Sequence, residues 1–179
     1  WDVEKGVPSE CQDKAWQTCS CLGTWHYNRS AYEDNWYKSA GTVIHMLIDI
    51  VSKNGNLLLS VPMKGNGTID DKEEKILEDI AAWMEVNGEG IFDTRPWCIY
   101  GEGPSTETAI PLDGAGFNEG KNAPYTSADI RFVKKGKYLY AHIMKWPSDG
   151  KIQIKSLATG SPYCKGEIEN ETVTVQLLR

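Results

Sequence analysis

The chain has 179 residues, room for one or two small domains. Apolar residues make up 40% and charged residues 25%, the balance of an ordinary globular protein. The net charge of −6, with no basic run longer than Lys134-Lys135, argues against a nucleic-acid partner. No apolar stretch approaches the ~18 residues of a membrane-spanning helix. A start at Trp1 rather than Met is expected of a processed, cloned or cleaved piece, with any targeting signal out of view.

Residues 1–38 are aromatic and polar without period, and read as one long loop of functional type. Residues 39–53 read as a helix: Val43, Ile44, Leu47, Ile48 and Val51 form one apolar stripe. Ser39 can cap its start, and Asn54-Gly55 supplies a left-handed stop. The following NGNLLLSVP (54–62) is a short apolar run, expected to be a parallel strand buried on both faces. A second helix follows, capped by Asp70 or Asp71, with Glu73 and Glu74 in its first turn. Its stripe is Ile76, Leu77, Ile80, Ala81, Trp83 and Met84, and Asn87-Gly88 is expected to close it. Helix, buried strand and helix make an α/β layer arrangement. The loop at 62–69 then leaves the carboxyl end of the strand, where such folds build their sites.

The character changes near Thr94-Arg95-Pro96. Residues 101–128 are rich in Gly and Pro without helical period. GAGFNEG (114–120) neither follows a strand nor opens a helix, so it is discounted as a dinucleotide loop. DIRFVKK, KYLYAHIM, KIQIKSL and ETVTVQLL then read as short antiparallel strands of a small β-sandwich. Two domain pieces are therefore expected, 1–95 and 96–179.

Seven Trp and eight Tyr are many for this length. Most such rings serve cores, but a flat ring can also stack on the apolar face of a sugar. Five Cys, with Cys19 and Cys21 as C-x-C, and three scattered His make no metal-ligand spacing; no metal or cofactor is expected. The first loop carries the carboxylates Asp2, Glu4, Glu10 and Asp13. Two carboxylates flanking a glycosidic bond are the minimal machinery for its hydrolysis. Glu4 lies near Trp1, and Trp25 stands beside His26 and Tyr27, a pattern that suits a sugar platform with polar donors or a plain aromatic plug.

WQTCSCLGTWHYN (16–28), LIDIVSKNGNLLLSVP (47–62), GNGTI (65–69) and WMEVNGEGIFDTRPW (83–97) resemble the α-L-fucosidases of glycoside hydrolase family 29. The resemblance is continuous over residues 1–97 and weaker beyond. It implies a retaining exo-hydrolase of terminal α-L-fucose, built as a (β/α)-barrel with a C-terminal β-domain. Glu4 in DVEKG then stands at the family's acid/base position, and Trp25 at the aromatic that packs on the fucose methyl. His26 and Tyr27 are similar to neighbouring pocket positions, and Trp16 to a structural one.

Ser60 and Met63 depart from the family's usual Asn and Gly-Pro. The family's Asp nucleophile belongs to an earlier strand, so this chain alone is expected to be inactive, with the missing barrel half as a covalent or separate partner. The expected substrate is a fucosylated glycan and the expected location periplasmic or extracellular. Asn28, Asn66 and Asn170 sit in N-x-S/T sequons; the first two fall in mouth loops and are read as chance. The competing expectation is a non-catalytic carbohydrate-binding or structural module derived from such an enzyme.

Overall fold

The computed structural model describes residues 1–112, 117–163 and 174–178. Along the chain run β1 (Asp2–Glu4), β2 (Trp16–Cys21), α1 (Arg29–Glu33), α2 (Ala40–Ser52), β3 (Gly55–Ser60) and α3 (Asp71–Asn87). They are followed by β4 (Arg95–Glu102), α4 (Pro104–Glu107), β5 (Ile130–Lys135) and β6 (Tyr138–Ile143). The fold is mixed α/β with two small sheets, one parallel in the order β1-β2-β3 and one antiparallel in the order β4-β5-β6.

The first 38 residues are not one loop. β2 is the central strand of the parallel sheet, with Glu4 beside Cys19 and Cys19 beside Leu58. Its buried positions are Trp16, Thr18, Ser20 and Cys21, and the two hydroxyl residues among them break the apolar alternation that marks a strand. Trp16 donates its indole N–H to the Lys53 carbonyl at 2.9 Å. Its ring lies so close over Gly55 that a Cβ there would meet it at 2.5 Å. The glycine that opens β3 therefore serves this close approach at the start of the strand.

β3 is parallel, as its composition suggests, but it is not buried on both faces. Val3, Trp16 and Leu57 pack against Ile50 of α2. On the opposite face Leu58 is 55% exposed.

α2 begins where Ser39 accepts from the Thr42 amide, and Asn54 takes the left-handed conformation at φ +69° just beyond its end. It contacts β3, α3, β4 and β5, so it is buried on more than one stripe. Ile44 and Ile48 meet Ile91 and Met144, with Ile80, Trp83 and Met84 of α3 against them. Asp70 caps α3 by accepting from the Lys72 and Glu73 amides. Gly88 does not stop that helix in a left-handed conformation: its φ is −59°, and the chain passes directly into a 3-10 turn over Gly88–Gly90.

β4 contains two breakers, Pro96 and Gly101, between which its register with β5 shifts. A Cβ at Gly101 would meet the Ile130 carbonyl at 2.5 Å, so the irregular strand approaches its neighbour closely there. Trp97 packs edge-on against Phe132 at 5.2 Å between ring centres. Among the described residues there is one antiparallel sheet and no second one to complete a sandwich. KIQIKSL does not pair. Its Ile154 and Leu157 lie over Trp97, Ile130 and Phe132, with a 3-10 turn at Lys155–Leu157 anchored where the Glu102 carboxylate accepts from the Lys155 and Ser156 amides. Alternation here covers a sheet rather than extending it. Of ETVTVQLL, residues 171–173 lie outside the described residues and 174–178 form no strand.

A buried charge cluster ties α2, which backs the parallel sheet, to β5 of the antiparallel sheet. Asp49 on α2 accepts from Arg131 Nε at 2.6 Å and from Lys53 Nζ at 2.9 Å. All three residues are buried. Burial disfavours the Asp49 anion, but the Lys53 and Arg131 charges outweigh it and hold the carboxyl below its ordinary range. Burial likewise pulls the Lys53 ammonium down, only partly opposed by Asp49.

Replacing Asp49 by Asn leaves two buried cations without their anion and is expected to cost about 3–5 kcal/mol, read as a lower urea midpoint. A carboxyl held low in the folded state stabilises above its unfolded value of about 4 and loses that contribution as pH falls through the folded value. Acid titration of stability is therefore expected to show a limb below about pH 4 that is weaker in Asp49→Asn.

Candidate functional site

Parallel strands present their C-terminal ends on one side, and loops leaving that side build sites in α/β folds. Here those ends are Glu4, Cys21 and Ser60. Glu4 is the last residue of β1. Its partners across the sheet are Cys19 and then Leu58, on the face turned away from α2, and its carboxyl is exposed.

The next residue, Lys5, holds the left-handed conformation at φ +47° without being glycine. Such a conformation costs of order 1 kcal/mol and persists where neighbours over-determine it. Its amide donates to the Cys19 carbonyl at 2.9 Å, and its carbonyl accepts from the Glu119 amide at 2.9 Å. Its ammonium sits 5.0 Å from the centre of the Trp25 ring, a cation–π contact. Lys5 thus joins the strand end carrying Glu4 to the aromatic of the next loop.

That loop runs from Leu22 to Lys38 and is closed by the Lys38 amide donating to the Leu22 carbonyl at 2.8 Å. Asn28 caps α1 within it by accepting from Ser30. Trp25, 36% exposed, shares a shallow depression with Thr24, His26, Tyr27, Asn28 and Arg29. The Thr24 hydroxyl donates to the His26 carbonyl at 2.6 Å, while the His26 ring is exposed and Tyr27 is half-buried. The structure thus places Trp25, His26 and Tyr27 in one loop and links Trp25 to the Glu4 strand end. Among the described contacts none ties His26 or Tyr27 to Glu4.

The loop docks on the start of α3. Tyr37 donates its hydroxyl to Asp70 at 2.5 Å, and Tyr32 to Asp71 at 3.0 Å. Burial and the Asp70 hydrogen bond push the Tyr37 phenol well above its ordinary range, so it stays a donor. Nearby, the Glu73 carboxyl is buried with no hydrogen-bond partner for either oxygen among the described residues. Burial first and the Asp70 charge second raise it toward the neutral acid.

Behind the sheet, on the α2 side, lies a larger cavity of about 520 Å³ lined by Val7, Thr18, His45, Met46 and Tyr125 among others. Burial lowers the His45 imidazole there. This cavity is separated from the Glu4 carboxyl by the sheet itself, so size does not mark the site.

Several residues escape a reading of the sequence. Glu119 lies in the discounted GAGFNEG stretch, whose residues 114–116 are outside the described residues. It accepts from the Ser20 hydroxyl at 2.6 Å and pairs with Lys38 at 2.8 Å. Asn118 exchanges two hydrogen bonds with the backbone of Val7, each 2.9 Å. These ties cross 99 and 111 positions of chain, and no local pattern announces them. Among the described residues no group of three His, Cys, Asp or Glu gathers to hold a metal ion. Cys11, Cys19 and Cys21 are free thiols, of which Cys21 is buried.

Residues 2–89 match the family model described as Alpha-L-fucosidase. The chain is 26% identical to the plasma alpha-L-fucosidase of Homo sapiens over 184 residues, covering 95% of this chain and 35% of that protein. A solved alpha-L-fucosidase superposes with a TM-score of 0.65 at 25% identity, over 82% of this chain and 29% of the other. The Thermotoga maritima alpha-fucosidase in complex with fucose superposes at 0.59 with 25% identity, over 81% and 29%. The chain therefore spans about a third of the length of the curated relative it matches.

A Cβ at Gly23 would lie 2.9 Å from the Tyr37 ring. Gly23→Ala is expected to displace that ring from Asp70 at a cost of about 1–3 kcal/mol. The check is a lower thermal midpoint together with faster proteolytic cutting between residues 23 and 37.

Proposed function

From the premise that the chain belongs to the alpha-L-fucosidase family, we propose that it is the C-terminal part of a retaining exo-glycosidase that releases terminal α-L-fucose from glycans. In this reading residues 1–95 contribute to a (β/α)-barrel catalytic domain and 96–179 form its β-domain. Among the described residues both outer strands of the parallel sheet, β1 and β3, have a free edge, and Leu58 leaves the face turned away from α2 exposed. Edges and apolar faces of this kind suit further barrel strands, which would turn that face inward.

The observation that carries the reading is the placement of Glu4 at the C-terminal end of β1, joined through Lys5 to the exposed Trp25 ring. In a retaining mechanism one carboxyl protonates the departing glycosidic oxygen as a second carboxylate, about 5–5.5 Å away, attacks the anomeric carbon. The first then takes a proton from the water that breaks the glycosyl-enzyme ester. Glu4 fills the acid/base role. The nucleophile comes from barrel elements outside these residues, so residues 1–179 alone hydrolyse nothing. Trp25 packs on the apolar side of the sugar, and His26 and Tyr27 offer donors around it. The partner is a fucosylated oligosaccharide or glycoconjugate, met in a periplasmic or extracellular setting.

Glu4→Gln in the complete enzyme is expected to lower kcat on fucosyl-sugar substrates by about 10²–10⁴-fold, measured as fucose release. Trp25→Ala is expected to raise KM with a smaller change in kcat. Unchanged turnover in Glu4→Gln would overturn the acid/base role of Glu4, and no fucose release by the complete wild-type protein would point instead to a carbohydrate-binding or structural module.

A further inference from the structure

We infer that Glu119 is a positioning residue for Glu4, an inference that rests on the acid/base reading of Glu4. Glu119 arrives from the stretch between α4 and β5 and reaches the C-terminal end of the parallel sheet. Its amide donates to the Lys5 carbonyl, the carbonyl one residue beyond Glu4. Its Oε2 accepts from Ser20 on β2 at 2.6 Å, and its Oε1 pairs with Lys38 at 2.8 Å. Lys38 in turn donates to the Cys21 carbonyl at 2.7 Å and closes the Trp25 loop through its own amide. One residue thus fixes three points: its backbone amide holds the exit of β1, and its carboxylate holds the end of β2 and, through Lys38, the closure of the loop bearing Trp25.

Two features assign a positioning role rather than a chemical one. Both carboxylate oxygens of Glu119 are engaged, and its ion pair with Lys38 cancels its charge. It also approaches from behind: Ser20 points to the α2 side of the sheet, and Glu119 lines the cavity there, whereas Glu4 belongs to the opposite face. The pair is well covered, with each side chain only 19% exposed, so it is not a freely solvated surface contact. The strained Lys5 backbone needs such support, since its amide is held by Cys19 and its carbonyl by Glu119. A general acid set about 1 Å out of line can lose about 10²-fold in rate.

The test exploits leaving groups. An aryl fucoside departs with little proton assistance, whereas a fucosyl disaccharide depends on it, so a displaced acid harms the second far more. In the complete enzyme, Glu119→Gln is expected to lower kcat/KM, which reports the steps up to departure of the leaving group, by about 10–100-fold on the disaccharide and by less than about 3-fold on p-nitrophenyl α-L-fucoside. Should Glu119→Gln fail to fold, Lys38→Met carries the same comparison. Equal losses on both substrates, or no loss, would overturn the inference. Glu4→Gln run alongside separates the two levels. If Glu4→Gln shows leaving-group dependence and the Glu119 variant does not, the positioning role alone falls. If Glu4→Gln shows none, the acid/base reading falls and the positioning role falls with it.

Discussion

One buried carboxylate joins the two halves of the molecule. Asp49 receives Arg131 from the antiparallel sheet on one oxygen and Lys53 from its own helix on the other. The guanidinium also lies over the faces of Tyr100 and Tyr125, and the Lys53 ammonium over Tyr100, so aromatic rings take up part of the surplus positive charge. A cluster of this kind adds less stability than its Coulomb energy suggests, because three charges must be stripped of water. What it gives is a fixed arrangement, since any shift leaves a buried charge unpaired. The same Lys53 offers its carbonyl to Trp16, and Trp16 packs on Gly55. The chain of contacts therefore runs from Arg131 through α2 to the central strand of the parallel sheet, the strand whose far end carries the candidate site.

At that far end the support comes from distant segments. Asn118 and Glu119 pin residues 5–7, Lys38 closes the Trp25 loop, and Tyr37 anchors that loop to the cap of α3. The site elements themselves are short: three residues of β1 and a loop with one five-residue helix. Neither could hold a catalytic geometry by its own hydrogen bonds. Precision must be supplied from outside, and the downstream segment that supplies it also bridges toward the second sheet. This arrangement explains why residues far away in sequence can shape the candidate site.

The sequence reveals some of this and conceals the rest for physical reasons. The helices α2 and α3 are legible because apolar period and capping agree at Ser39 and Asp70. β5 and β6 are legible from their composition and the Gly136 turn between them, where φ is +57°. β2 is concealed because Thr18 and Ser20 stand at buried positions, and β4 because Pro96 and Gly101 interrupt it. KIQIKSL misleads because alternation describes a two-faced segment, whether or not a neighbouring strand accepts its hydrogen bonds. Of the site, Glu4 and Trp25 stand out through resemblance to a family rather than through any local pattern. Glu119 and Asn118 do not stand out at all, since their partners lie a hundred positions away.

The most direct test of the account is the anomer first released when p-nitrophenyl α-L-fucoside is hydrolysed, followed by proton NMR before mutarotation. The complete enzyme is predicted to release α-L-fucose, the retained anomer, and residues 1–179 alone to release none. Initial release of β-L-fucose, or turnover by residues 1–179 alone, would contradict a Glu4 acid/base working with a nucleophile held elsewhere in the barrel.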